Sequence, residues 1–339
     1  MRYTILGKTG LEISEVGFGC IPIIRLSAAE AVMVLRRAYD RGITLFDTAN
    51  MYLDSEEKIG LAFDGMRSRL VLATKTSKRD RAGAGADIDL SLQRMRTDYI
   101  DLFQIHQLSL ESDYQVVTGP DGALEAIFRA KQAGKIRHIG GTSHSIEMAM
   151  KLVKTGLFST VQFPFNFIES KPAEELHPAA RQEEMGILAM KPFGGGVLDN
   201  GELCFKFLRQ FPDVIPLPGF DAIDQVDQIV TIYETENAVL PEDLAAMEGY
   251  RTELGQQFCR RCEYCQPCEQ GVMITAAMNY PIVARRMSDS KAAGFATMFM
   301  ESVRNCTECG ECVERCPYDL PIPETLKKHL ALYEQHTGA

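Results

Sequence analysis

Eight of the ten cysteines fall in the last quarter of the 339-residue chain, in two runs. The first is Cys259-x2-Cys262-x2-Cys265-x2-Cys268; the second is Cys306-x2-Cys309-x2-Cys312-x3-Cys316, followed by Pro317. Three thiols at two-residue gaps, with a fourth just ahead of a proline, is a spacing that holds a 4Fe–4S cubane. Zinc usually takes two separated cysteine pairs per ion and would leave thiols over here. Disulfides need an oxidising compartment, whereas Met1 to Lys8 contains no apolar stretch of the signal-peptide kind, so the expected location is cytoplasmic. The spacing therefore favours two 4Fe–4S clusters. In two-cluster domains the fourth cysteine of each run ligates the other cluster, which makes Cys268 and Cys316 the expected exchanged ligands. The first run departs from the pattern at its end, where Pro267 precedes Cys268 instead of following it.

A second set of residues with chemical capacity lies upstream. Asp47 follows Leu45-Phe46, Lys75 closes Leu70-Val-Leu-Ala-Thr74, and His106 closes Asp101-Leu-Phe-Gln-Ile105; Tyr52 comes five residues after Asp47. Taken singly, each has an ordinary explanation: a helix cap, a rim lysine, a core histidine. Taken together, an acid, a base and an imidazole at the polar ends of successive apolar runs would meet at one pocket mouth.

The elements that would position them are short β-branched runs alternating with amphipathic stretches. The strands expected are 16–21, 44–48, 70–75, 100–106, 136–140, 160–165, 186–190 and 214–217. Helices are expected at 28–41, 56–65, 88–96, 123–133, 146–155, 173–184, 203–210 and 222–234. Ser27 and Glu30 form a capping box at the first helix. Eight strand–helix units fit a (β/α)8 TIM barrel, whose chemistry sits at the C-terminal ends of its strands. No G-x-G-x-x-G follows the first strand, which argues against an open dinucleotide-binding sheet. The barrel is expected to span residues 1–250. Residues 251–339 are expected to form a small, mainly helical two-cluster domain, because the linker between the cysteine runs is rich in alanine and methionine and a further helix is expected from about 323 to 334.

Gly42-Ile-Thr-Leu-Phe-Asp47-Thr-Ala-Asn-Met-Tyr52 and Ser55-Glu-Glu-Lys-Ile-Gly60 resemble the signature of the aldo-keto reductase family. Ala73-Thr-Lys75, Asp98-Tyr-Ile-Asp-Leu-Phe-Gln-Ile-His106, Gly134-Lys-Ile-Arg-His-Ile-Gly140 and Val161-Gln-Phe-Pro-Phe-Asn166 extend the likeness in the family's order, over roughly residues 1–240. The cysteine tail is similar to that of the branch with a C-terminal ferredoxin-like domain. The resemblance implies Tyr52 as general acid, Lys75 beside it, Asp47 orienting Lys75, and His106 donating to a substrate carbonyl. It also implies that Ser143 and Gln162 bind the nicotinamide carboxamide, and that the loop of Lys191, Gly194 and Gly195 lies against the pyrophosphate. Met190 stands where many members stack an aromatic ring. The segment 218–228 lacks the lysine and arginine expected to hold a 2′-phosphate. Asp221 would instead accept from a ribose hydroxyl, which leans the cofactor from NADP(H) toward NAD(H); a plain turn residue is the alternative reading. Cys20 and Cys204 are expected to be buried and inert.

Composition narrows the partners. A formal charge of −10 opposes nucleic-acid binding, and no apolar run is long enough to span a bilayer. The leading expectation is an oxidoreductase acting on a small carbonyl or alcohol. One alternative is an electron-transfer enzyme that exchanges electrons with a partner such as ferredoxin; another is a redox-sensing binding protein with a non-catalytic barrel. A tension runs through the first two, because hydride carries two electrons whereas each cluster passes one.

Overall fold

The computed structural model describes residues 1–254, 258–261, 263–285, 287–316 and 318–338. The chain divides into two compact units, Met1–Leu240 and Pro241–Ala339.

The first unit opens with an antiparallel hairpin, β1 (Tyr3–Ile5) and β2 (Glu12–Ser14). Eight parallel strands follow: β3 (Phe18–Gly19), β4 (Leu45–Asp47), β5 (Val71–Thr76), β6 (Ile100–Ile105), β7 (Ile136–Thr142), β8 (Thr160–Pro164), β9 (Gly186–Met190) and β10 (Val214–Leu217). They pair in strict chain order from β3 to β10. The ends of that sheet also meet, since the Gly17 amide donates to Pro216 O at 2.9 Å and the Gly19 amide to Pro218 O at 2.7 Å. The sheet is therefore a closed barrel with no free edge, as the alternating pattern implies. Leu6 and Ile13 from the hairpin are buried with Leu45, Val71, Leu102, Leu188, Ile215 and Leu217, so the hairpin fills one end of the barrel.

Nine helices run between and after these strands: α1 (Ala28–Asp40), α2 (Ser55–Ala62), α3 (Arg81–Arg94), α4 (Glu111–Thr118), α5 (Ala123–Gln132), α6 (Ile146–Lys154), α7 (Leu176–Gln182), α8 (Gly201–Leu208) and α9 (Ile223–Glu234). The expected capping box is present: the Glu30 amide donates to Ser27 Oγ at 3.3 Å and the Ser27 amide to Glu30 Oε2 at 2.8 Å. α3 starts seven residues before the expected position. Its first turn, Arg81-Ala-Gly-Ala-Gly85, has low helix propensity, but Asp80 accepts from the Gly83 amide at 2.8 Å and caps it. α4 and the N-terminal hairpin are elements that periodicity did not reveal. α1 and α9 are tied by Asp227, which accepts two bonds from Arg37 at 2.9 and 3.1 Å and another from Arg41.

The second unit is helical, with α10 (Pro241–Leu254), α11 (Ile274–Met278), α12 (Tyr280–Ala284), α13 (Asp289–Ser302), α14 (Glu311–Glu314) and α15 (Ile322–Thr337). Tyr280, Met278, Phe299, Met300, Leu326 and Tyr333 make its core, against which several of the cysteines pack. Met278 and Met300 thus act as packing, as their softness suits. Among the described residues no helix is long and apolar enough to cross a membrane.

His177 on α7 is buried in the barrel shell. Its ring stands 4.5 Å from that of Phe165 and 6.4 Å from that of Phe211, and its Nδ1 has no hydrogen-bond partner. Burial, with help from the nearby Arg181 charge, pushes its pKa down to about 4. The unfolded chain protonates near pH 6.5 and the folded chain does not, so stability present above that pH is lost as pH falls toward 4, by up to a few kcal/mol. His177→Phe should therefore flatten the fall in Tm between pH 7 and pH 4.5; an unchanged slope would contradict this origin.

Candidate functional site

The parallel register sets side chains from neighbouring strands next to one another at the C-terminal mouth of the barrel. Asp47 pairs with Ala73, and Lys75 pairs with Gln104. Lys75 Nζ lies 2.5 Å from Asp47 Oδ2 and donates to Thr48 O at 2.6 Å. Asp47 is 4% exposed and Lys75 2%. This buried ion pair is hydrogen-bonded further than two charges alone require. Asp47 Oδ1 accepts from Gln104 Nε2 at 2.9 Å, and Oδ2 accepts from Gln162 Nε2 at 3.3 Å.

Tyr52 sits in the turn between β4 and α2, held by its amide donating to Ala49 O at 2.9 Å and by its carbonyl accepting from the Ser55 amide at 2.9 Å. The Lys75 ammonium is 5.8 Å from the centre of the Tyr52 ring. The His106 ring meets the same ring edge-on, centres 5.7 Å apart. All four residues predicted from strand ends and the Tyr52 loop are thus gathered in one place. Burial, then the charges of Lys75, Arg79 and Lys191, push the His106 pKa down to about 3, so the imidazole is neutral at physiological pH. Arg79 also fixes the strand end that carries it, donating to His106 O at 2.8 Å and Gln107 O at 3.1 Å. Cys20 is wholly buried, and burial followed by the Asp47 charge raises its thiol well above the usual range. Burial raises Cys204 to about 12. Both thiols are therefore unreactive.

The residues assigned to a cofactor by resemblance divide into two groups. Ser143, just past the end of β7, and Gln162 on β8 lie side by side, the Ser143 amide donating to Gln162 O at 3.1 Å. Gln162 Oε1 is buried with no partner, an acceptor that a carboxamide N–H would satisfy. Lys191, Gly194, Gly195 and Gly196 all have positive φ (58, 56, 79 and 100°), which turns the loop sharply and which glycine adopts without a side-chain clash. Asp221 differs from expectation. It pairs with Arg25 at 2.6 Å and accepts from Gln225 at 2.8 Å. The mouth of β10 does have a cation, supplied from the segment after β3, so the absence of lysine and arginine from 218–228 does not describe this edge. Sequence reasoning also missed Gln104. Its signal was there, as an amide in β6, whose one other polar residue is Asp101.

In the second unit, none of the seven described cysteines is in a disulfide. Cys306, Cys309 and Cys312 line a cavity of about 260 Å³ together with Cys265 and Cys268. Burial raises the Cys312 thiol, and the neighbouring Cys306, Cys309 and Cys268 raise it further. A second recess, which shares Cys265 with the first, is lined by Cys259, Cys265 and Cys316. Cys262 lies outside the described residues. Cys268 thus stands with the first three cysteines of the second run, and Cys316 with Cys259 and Cys265. Among the described residues no three such donors converge on a point that would hold one metal ion. Thiols ringing a cavity suit a polynuclear cluster better than zinc.

A profile of the Aldo/keto reductase family matches residues 15–204, and one of the 4Fe-4S dicluster domain matches residues 258–320. The aldo-keto reductase YhdN of Bacillus subtilis (strain 168) is 31% identical over 258 residues, covering 68% of this chain and 76% of that protein. YqkF, an oxidoreductase of the same organism, is 31% identical over 217 residues, 60% of this chain and 68% of its own. In fold, the chain is similar to aldo-keto reductase AKR11C1 from Bacillus halodurans in its holo form, with a TM-score of 0.64, 24% identity, and coverage of 74% of this chain and 96% of that one. It is also similar to an aldo-keto reductase from Klebsiella pneumoniae in complex with NADPH, with a TM-score of 0.62, 23% identity, and coverage of 74% and 95%. The chain belongs to the aldo/keto reductase family and carries a C-terminal 4Fe-4S dicluster domain.

Proposed function

We propose that the barrel interconverts a small carbonyl compound and its alcohol by hydride transfer with a nicotinamide cofactor, Tyr52 serving as the acid. The observation that carries this reading is the buried Lys75–Asp47 pair beside Tyr52 and a neutral His106. When bound, reduced nicotinamide supplies hydride to the carbonyl carbon. Tyr52 gives its phenolic proton to the oxygen, completing an alcohol. A free phenol titrates near pH 10 and is a weak acid–base catalyst near neutrality; the ammonium beside it favours the phenolate left behind. His106, being neutral, donates an N–H bond to the carbonyl oxygen without holding a charge that competes with Tyr52. Ser143 and Gln162 would hold the carboxamide, and the loop of Lys191, Gly194 and Gly195 the pyrophosphate.

For the cofactor we favour NADP(H) over NAD(H). The opposite lean rested on a missing cation, and Arg25 fills that place; the Klebsiella relative is a complex with NADPH. In the second unit, Cys268, Cys306, Cys309 and Cys312 would ligate one 4Fe–4S cluster, and Cys259, Cys262, Cys265 and Cys316 the other. When bound, these clusters accept and release single electrons.

Tyr52→Phe keeps the ring and removes the proton, so turnover of a carbonyl substrate should fall at least ~10²-fold with the fold intact, and Lys75→Met should act alike. Because His106 stays neutral, the wild-type kcat profile should show no limb from it between pH 5 and 8. Wild-type turnover in Tyr52→Phe would defeat the mechanism.

Titration calorimetry should find NADPH bound at least as tightly as NADH. Arg25→Gln should weaken NADPH several-fold and leave NADH nearly unchanged, the scale of a partly exposed charge pair. Equal losses for both cofactors would remove Arg25 from 2′-phosphate recognition.

Anaerobically reconstituted protein should hold about eight irons. Cys268→Ala and Cys309→Ala, singly or combined, should leave the same single remaining cluster, whereas Cys268→Ala combined with Cys259→Ala should disturb both. Stoichiometric zinc without sulfide would contradict the assignment.

A further inference from the structure

Gln104 is fully buried on β6 and faces Lys75 across the strand pair. The fold makes room for it. A Cβ on Gly140, its register partner on β7, would run into Thr160 Oγ1 and crowd Gln104 Cγ at 3.0 Å, so the glycine keeps β7 open beside this side chain. Its Nε2 reaches Asp47 Oδ1 at 2.9 Å, the better placed of the two amide donors on this carboxylate. Its own Oε1 has no partner. An amide inside a barrel core with half its hydrogen-bonding capacity unmet is a poor packing solution, since a leucine or methionine would fill the space without stranding a polar atom. What the amide adds over such a residue is one N–H aimed at Asp47.

We propose that Gln104 is a positioning residue of the site, its side-chain N–H holding the Asp47 carboxylate so that Oδ2 faces Lys75. The inference rests on the Tyr52–Lys75–Asp47–His106 reading above. Lys75 has two acceptors, Asp47 Oδ2 and Thr48 O, and its place beside Tyr52 depends on both. With Oδ1 engaged by Gln104, the carboxylate plane is fixed and Oδ2 cannot swing away. Without that donor, Oδ1 is left in an apolar layer, and the carboxylate turns to share Lys75 between its oxygens, drawing the ammonium off its position.

Gln104→Met matches the side chain in length and volume but has no N–H. Its kcat with a carbonyl substrate should fall about tenfold or more, while cofactor Kd stays within about twofold of wild type. Gln104→Glu gives a sharper test. Burial and the neighbouring Asp47 would raise the new carboxyl's pKa, against the lowering pull of the Lys75 ammonium, whose charge is already paired with Asp47. Protonated, it can donate its O–H to Asp47 Oδ1 as the amide does; ionised, it repels Asp47. Activity should then be recovered at pH 6 and lost as pH rises, along a limb that wild type lacks. A merely structural role would not create that limb. Gln104→Met at wild-type kcat would overturn the proposal, as would a Gln104→Glu profile superimposable on wild type or inactive at every pH. Should Gln104→Met fail to fold, the Gln104→Glu profile decides alone. Tyr52→Phe assayed in parallel separates the two claims. If it is inactive while Gln104→Met is normal, the tetrad stands and Gln104 falls; if it is fully active, the underlying reading falls.

Discussion

Two opposite charges, Asp47 and Lys75, lie against each other inside the barrel almost completely out of water. Removing one would leave the other buried and unpaired, a cost of several kcal/mol, so each holds the other in place. Such a pair is tolerated only where hydrogen bonds satisfy what the partner does not. Thr48 O, Gln104 and Gln162 do that here. These residues come from β4, β5, β6 and β8, and only a closed parallel sheet with this register brings them together. The apolar strand runs and the hairpin that fills one end of the barrel are what keep the pair dry.

The chemistry follows from that constraint. Dryness strengthens the field of the ammonium at Tyr52, and it also keeps His106 neutral. The same cations that hold His106 uncharged leave it an N–H donor with no titration of its own near neutrality. In the proposed mechanism, proton transfer is thereby concentrated on Tyr52. The charge of the site stays with the Asp47–Lys75 pair, while the residues around it only orient.

What could be read along the chain was whatever depends on near neighbours. Asp47, Lys75 and His106 were visible because each closes a mainly apolar strand run, and Ser27 and Glu30 because a capping box spans three residues. The cysteine runs were visible for the same reason, and the proposed exchange of Cys268 and Cys316 between the two sets rests on a spacing rule. Contacts between distant segments were hidden. Arg25 and Asp221 are 196 residues apart and meet only because the barrel closes between β3 and β10. α3 starts early because one capping aspartate outweighs two glycines of low propensity. Gln104 was legible as a polar residue in a mainly apolar strand, yet its partner is 57 residues away and no local pattern names it.

The central claim is that Asp47 and Lys75 act as one unit on Tyr52. A double-mutant cycle on kcat with Asp47→Asn, Lys75→Met and the combined variant measures this directly. Members of a unit are grossly non-additive, so the double variant should be about as slow as either single one. Losses that multiply, with the double variant slower by the product of the two single effects, would show that the residues work independently and would contradict the account.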